Sequence, residues 1–166
     1  MNRPRIQPPL TTYDKTIEVI GWMALCALIT LPAMYYASLP DSIPTHFGPD
    51  GRPDAFSSKM MIWTLPIIGG ITFLGLVYLN RFPHIFNYST TITPENAERQ
   101  YQLSTRMVRT INVVTTGLFV YLTYGTIHTA LGNQEGLSDY FIFIFLGLTF
   151  IPLIVYLVQR GQLDRR

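Results

Sequence analysis

The chain has 166 residues, 13% of them charged and 48% apolar, with a formal net charge of +2. An average soluble protein carries about 25% charged residues. Four stretches, 19–40, 60–79, 111–131 and 140–159, contain no Asp, Glu, Lys or Arg and together make up half the chain. This excludes an ordinary soluble domain, a disordered chain and a disulfide scaffold.

Roughly 20 apolar residues cross a hydrocarbon core of about 30 Å, since a helix rises about 1.5 Å per residue. All four stretches meet that length. Helices also pair every backbone amide within their own segment, as the bilayer requires. The first run is too long for a cleaved signal core and no small-x-small site follows it, so it is read as a retained span. Cys26, the single cysteine, allows no internal disulfide and is read as a packing residue.

Lys and Arg set the orientation. The N-terminal tail holds Arg3, Arg5 and Lys15. The segment after span two holds Arg81, Arg99, Arg106 and Arg109, and the C-terminal tail holds Arg160, Arg165 and Arg166. The other two loops hold only Arg52 and Lys59. Both termini are therefore expected in the cytoplasm of a multi-pass plasma-membrane protein. Trp22, Tyr78 and Tyr156 fall towards the inner interface; Tyr35, Tyr36, Trp63 and Tyr140 fall towards the outer one. Within span one, Pro32 favours a kink and Ala33 with Ala37 forms a small-residue contact pair.

The outer loop, 39–59, is the most distinctive part of the chain. Pro40, Pro44, Pro49 and Pro53 exclude a helix. Gly48-Pro49-Asp50-Gly51 is a turn signal: proline presets the first position, Asp bonds its own backbone and Gly supplies positive φ. A short irregular hairpin is expected from Ile43–Phe47 and Arg52–Phe56, with Phe47 and Phe56 turned to the membrane or the helix ends. The outer loops carry Asp41, Asp50, Asp54, Glu135 and Asp139 against Arg52 and Lys59, an acidic face that attracts cations or a cationic peptide. His46, Asp50, Arg52 and Asp54, with His128 at the outer end of span three, are the candidate binding residues. No recognised zinc or calcium spacing is present, so a self-capped hairpin is preferred to a metal site.

Leu39-Pro40, Ile43-Pro44, His46-Phe47, Asp50-Gly51, Asp54 and Ser58-Lys59 follow a first span. Arg81-Phe82-Pro83-His84, Phe86-Asn87-Tyr88 and Thr93-Pro94-Glu95-Asn96-Ala97 come later. Together they resemble the membrane domain of unknown function (DUF) at the N-terminus of SdpI-type bacterial immunity proteins. The resemblance covers most of residues 15–110. It implies a bacterial membrane protein; the best-known type confers immunity to a secreted killing peptide and relays its presence to a repressor. This chain ends after four spans, whereas the longer immunity proteins carry more.

In span two, Pro66 favours a kink. The cytoplasmic segment, 80–109, begins irregularly, with His84 read as a polar interfacial side chain. Thr93-Pro94-Glu95 then announces a helix by a hydroxyl cap, a first-turn proline and an early carboxylate. Ala97, Tyr101, Ser104, Met107, Val108 and Ile111 mark one side of an amphipathic helix running into span three. Arg99, Gln102, Arg106 and Arg109 mark the other. This basic face, Arg99, Arg106 and Arg109, suits a stem that extends span three, contact with anionic lipid, or a cytoplasmic partner.

No span carries a mid-bilayer charge, which argues against a proton-coupled transporter. Asn112, Thr116, Thr123 and Thr126 fall near one face of span three, placed for interhelical hydrogen bonds or for lining a polar cavity. Pro152 favours a kink in span four.

The expected fold is an all-α polytopic membrane protein. It is a single integral membrane domain over 1–166, with spans near 17–38, 60–79, 110–131 and 139–159. No nucleophile–base pair, phosphate loop or metal motif appears, so neither an enzyme nor a cofactor is expected, and no catalytic residue is assigned. The expected role is a non-enzymatic accessory, immunity or sensing protein that recognises a ligand at the outer face. A small transporter or channel subunit is the alternative. The expected partners are the lipid bilayer and a peptide ligand or membrane protein, not nucleic acid, and an oligomer is compatible.

Overall fold

The computed structural model describes residues 3–163. Arg165 and Arg166, used above for orientation, and Asp164 lie outside the described residues. The elements in order are α1 (Thr12–Tyr35), β1 (Ser42–Phe47), β2 (Pro53–Ser58), α2 (Thr64–Leu79), α3 (Ala97–Ala130) and α4 (Phe141–Leu163), with short 3-10 turns at Tyr36–Ser38, Lys59–Trp63 and Pro83–Ile85. Among the described residues, four helical segments are long and apolar enough to cross a membrane: Thr12–Ser38, Lys59–Leu79, Ala97–Ala130 and Phe141–Leu163.

α1 starts at a reciprocal cap. Thr11 Oγ1 accepts from the Asp14 amide at 3.3 Å, and Asp14 Oδ2 accepts from the Thr11 amide at 3.0 Å. Two orphan donors of the first turn are thereby satisfied. The helix continues through Pro32 and ends in the 3-10 turn, with the Tyr36 amide donating to Pro32 O.

α2 alone has 16 residues, about 24 Å, too short to span. The preceding 3-10 turn, whose rise is greater, extends it to the required length. Pro66 therefore lies in the first turn of α2, where its missing donor costs no helical bond. The helix expected from Thr93-Pro94 begins later: 94–96 form a turn, and Asn96 Oδ1 accepts from the Thr93 amide at 2.9 Å.

α3 is the hub and packs against α1, α2, α4 and β1. Its 34 residues reach about 51 Å, well beyond a hydrocarbon core of about 30 Å. The excess lies at its N-terminal end, where Ala97, Tyr101, Ser104 and Thr105 are buried. Tyr88 and Ile92 pack on Ala97 and Tyr101 to form a small core there. The extended N-terminal segment straps over it: Arg3 Nη1 donates to the carbonyls of His84 (3.1 Å) and Phe86 (2.6 Å), Tyr101 OH donates to Pro4 O (3.0 Å), and Gln7 donates to Arg81 O.

α4 packs on α3 and has no buried residue among those described. Near its C-terminal end Tyr156 OH lies 3.4 Å from Ser104 Oγ. Residues 3 and 163 thus lie at one end of the bundle, with the β1–β2 hairpin at the other. Cys26 is exposed on α1, not packed in the bundle, because Leu25 and Leu28 take the inward positions. Ala33 and Ala37 are also exposed and do not form the close contact expected of them.

Candidate functional site

The hairpin is anchored on one strand and open on the other. Ile43 and Pro44 of β1 are buried, and Ile43 joins Leu39, Ile62 and Ile127 in an apolar core against the helix ends. β2 packs chiefly on β1, and every residue from Asp54 to Ser58 is exposed. The antiparallel register pairs Ser42 with Ser58, Pro44 with Phe56 and His46 with Ala55, with irregularities on both sides of His46. Pro44 has no amide to give to the ladder, which accounts for a break beside it. Phe47 is half-buried, whereas Phe56 is exposed and so does not pack on the helix ends, because no element covers β2.

The tip is a tight turn. The Gly51 amide donates to Gly48 O at 2.9 Å, and the Arg52 amide donates to Asp50 Oδ1 at 3.1 Å. Gly51 has φ 77°, which a side chain resists. The Leu137 amide donates to Gly51 O at 2.8 Å, so the 132–139 loop docks on the tip. At the base, Lys59 Nζ lies 3.1 Å from Asp41 Oδ1 and 5.7 Å from the centre of the Tyr36 ring.

Of the five candidate outer residues, the structure pairs two. His46 Nδ1 lies 2.6 Å from Asp54 Oδ1, with side chains 69% and 53% exposed. Asp50 is spent on its own turn, and Arg52 is exposed. His128 is elsewhere: its ring lies 5.7 Å from Tyr35 and 4.1 Å from Tyr124, and Nδ1 is 3.3 Å from Asn133 Nδ2. The apolar faces of α1 and α3 hold it there. Among the described residues no three His, Cys, Asp or Glu side chains converge as a metal site.

Beneath the hairpin lies a cavity of about 300 Å³, walled by Ile43–Phe47 of β1, the start of α2, Thr123 and Thr126 of α3, and Leu137 and Phe141. Thr123 Oγ1 is buried with no hydrogen-bond partner among the described residues. The polar face of α3 thus divides. Thr123 and Thr126 line this cavity, whereas Thr116 donates to Asn112 O at 2.8 Å and Asn112 Nδ2 donates to Phe73 O of α2 at 3.2 Å.

At the opposite end, the three arginines read as a basic face are not alike. Arg106 Nε lies 3.0 Å from Asp14 Oδ1, its Nη2 donates to Thr11 Oγ1 at 3.2 Å, and it stacks on Tyr13 at 5.1 Å. Arg109 Nε lies 2.7 Å from Glu18 Oε1. These two face α1, and only Arg99 is exposed. The acids spaced by one helical turn in α1 meet the two arginines of α3. Thr11-x-x-Asp14 was a legible capping signal, but nothing local marked Arg3, Tyr88 or Tyr101 as parts of one core.

Residues 22–70 match a family described as a domain of unknown function, DUF1648. The match covers most of α1, the whole hairpin and the start of α2. It is narrower than the 15–110 of the sequence resemblance and leaves out the Arg81–Ala97 motifs. An uncharacterised protein of the archaeon Archaeoglobus fulgidus is 28% identical over 94% of this chain and 92% of its own length. Neither description names an activity or an immunity role. No solved structure matches the chain.

Proposed function

We propose that this chain is a multi-pass membrane protein that recognises a cationic, partly apolar peptide at its hairpin end, in an immunity or sensing role and without catalysis. The observation that carries the reading is the anchored hairpin. β1 is fixed in the apolar core, which leaves β2, the acidic tip and the mouth of the cavity free for contact. The acidic side chains favour a cation, and the 300 Å³ cavity beneath accommodates an apolar side chain. The charge distribution supports an outward-facing hairpin and cytoplasmic termini.

A host strain lacking the gene is expected to lose tolerance to cationic envelope-active peptides. The wild-type gene is expected to restore it, and the His46→Ala/Asp54→Ala double variant, expressed to the same level, is not. Unchanged tolerance in the deletion strain would overturn the reading.

A small transporter or channel subunit is the second reading, favoured by Thr123, whose unpartnered hydroxyl belongs to a residue lining the cavity. Solute or ion flux through protein reconstituted in liposomes, lost in Thr123→Val, would replace the recognition reading with this one.

A further inference from the structure

A second cleft, of about 410 Å³, opens at the terminal end between α1, α2, α3 and the N-terminal strap. Its wall changes character along its length. Trp22, Phe73, Val77 and Val113 form an apolar part, with Trp22 edge-on to Phe73 at a centroid distance of 4.9 Å. The polar part includes Arg81, Arg109 and Glu18. The floor is close-packed: a Cβ on Gly21 would lie 3.0 Å from Phe73 Cε2 and 3.1 Å from Val113 Cγ2. The cleft is a groove over packed helices, not a channel through them.

The charges in the polar part do not cancel. Arg109 and Glu18 neutralise each other at 2.7 Å. Arg81 is exposed, lies just past Asn80, the C-cap of α2, and its guanidinium has no partner among the described residues. Its backbone is held, because Gln7 of the strap donates to its carbonyl. One unpaired guanidinium on a held backbone, beside an apolar groove at the end of a helix long and apolar enough to cross a membrane, matches one ligand chemistry: a phosphate carrying an acyl chain. Guanidinium binds phosphate strongly through paired hydrogen bonds, and the apolar wall takes the chain.

We propose that this cleft is a binding site for an anionic glycerophospholipid, with its phosphate at Arg81 and an acyl chain along Trp22 and Phe73. The proposal rests on the membrane-crossing helices and is independent of any role for the hairpin.

The chain has two tryptophans, so Trp63→Phe leaves Trp22 as a reporter inside the cleft. The protein is reconstituted in phosphatidylcholine containing a minor fraction of phosphatidylglycerol with brominated acyl chains, which quench tryptophan on contact. Trp22 is expected to be quenched as if phosphatidylglycerol were enriched about five-fold over brominated phosphatidylcholine at the same fraction. Arg81→Gln abolishes that preference. Arg99→Gln keeps it, which shows that the fold is intact and that the effect is local. Trp22→Phe, which reports Trp63 alone, shows no preference. Equal quenching by the two lipids, or a preference retained in Arg81→Gln, overturns the proposal. So does a preference removed by millimolar glycerol phosphate, which would mark a site for soluble phosphate.

Discussion

Arg106 of α3 and Asp14 of α1, 92 residues apart in sequence, are joined by two hydrogen bonds, Nε to Oδ1 at 3.0 Å and Nη2 to Oδ2 at 3.3 Å. Asp14 is almost wholly buried, and it also closes the capping box of its own helix. One carboxylate therefore fixes both where α1 starts and where it meets the hub helix. Asp14→Ala leaves a partly desolvated guanidinium, an orphan Thr11 amide and a Thr11 hydroxyl without its acceptor. It is expected to cost about 3 kcal/mol, the lower end of the range for breaking a buried pair, because Arg106 keeps a third of its surface. Glu18→Gln, at a more exposed carboxylate, is expected to cost about 1 kcal/mol. Thermal unfolding in detergent of the two variants beside the wild type measures the difference. Equal effects would show that the box and the buried pair contribute nothing beyond the outer pair.

The strap and the stem give a pH dependence with a definite sign. Tyr88 is buried, its hydroxyl donates to Pro83 O at 2.9 Å, and burial raises its phenol from 10.0 to about 12. The folded protein therefore holds this proton more tightly than the unfolded chain, whose phenol titrates near 10. The stability due to Tyr88 is complete below pH ~10 and is lost as the pH rises from ~10 to ~12. Tyr88→Phe removes this titration. The variant should lose less of its melting temperature across that interval than the wild type, although it starts lower for want of the hydrogen bond. Parallel losses in the two proteins would place the alkaline transition elsewhere.

Length and apolarity make legible the four helices long and apolar enough to cross a membrane, because a bilayer demands about 20 uncharged residues per crossing. The turn at Gly48–Gly51 is equally local: proline, a self-bonding Asp and a glycine at positive φ suffice. What the sequence conceals is pairing at a distance. Arg106 and Arg109 read as one side of an amphipathic helix until α1 is laid beside them and supplies Asp14 and Glu18. His128 and His46 both belong to the hairpin end, yet helix phase turns His128 to Tyr35 and Tyr124 while the hairpin carries His46 to Asp54. Pro66 owes its first-turn position to an element that its own residues do not announce. The 3-10 turn before it shifts the start of α2, and a proline in a first turn costs no helical bond.

Gly51 holds the hairpin tip against the loop before α4. Its φ of 77° disfavours any Cβ, and a Cβ there would lie 2.7 Å from Leu137 O, inside contact distance of a backbone atom that cannot move aside cheaply. Gly51→Ala is expected to cost roughly 1–2 kcal/mol from the backbone conformation alone, and to release the Leu137 amide from its bond to residue 51. The resulting opening is local. Limited proteolysis should cut within 48–53 or 132–139 in the variant while the helices stay protected. Gly132→Ala, at similar φ but with open space around it, should leave the tip protected. An uncut Gly51→Ala protein would show that the loop holds without this contact.

The membrane orientation can be tested with the chain's single cysteine removed. Cys26 is exposed on α1 and makes no inward contact that Cys26→Ala would lose, so the cysteine-free chain should fold as the wild type does. Ser57 lies on the open strand of the hairpin and Glu98 in the first turn of the stem helix, both exposed and at opposite ends of the bundle. Ten of the twelve Lys and Arg residues fall, in sequence, in the two terminal segments and the segment between spans two and three. Translocating those segments would oppose the bias that governs insertion. In intact cells, Ser57→Cys is therefore expected to react with a membrane-impermeant maleimide, and Glu98→Cys only after the membrane is opened. Labelling of Glu98→Cys in intact cells would invert the orientation and put the hairpin in the cytoplasm. The acidic tip could not then meet a peptide from outside, and the recognition reading would fail, while the phospholipid cleft, which depends on depth and not on side, would stand.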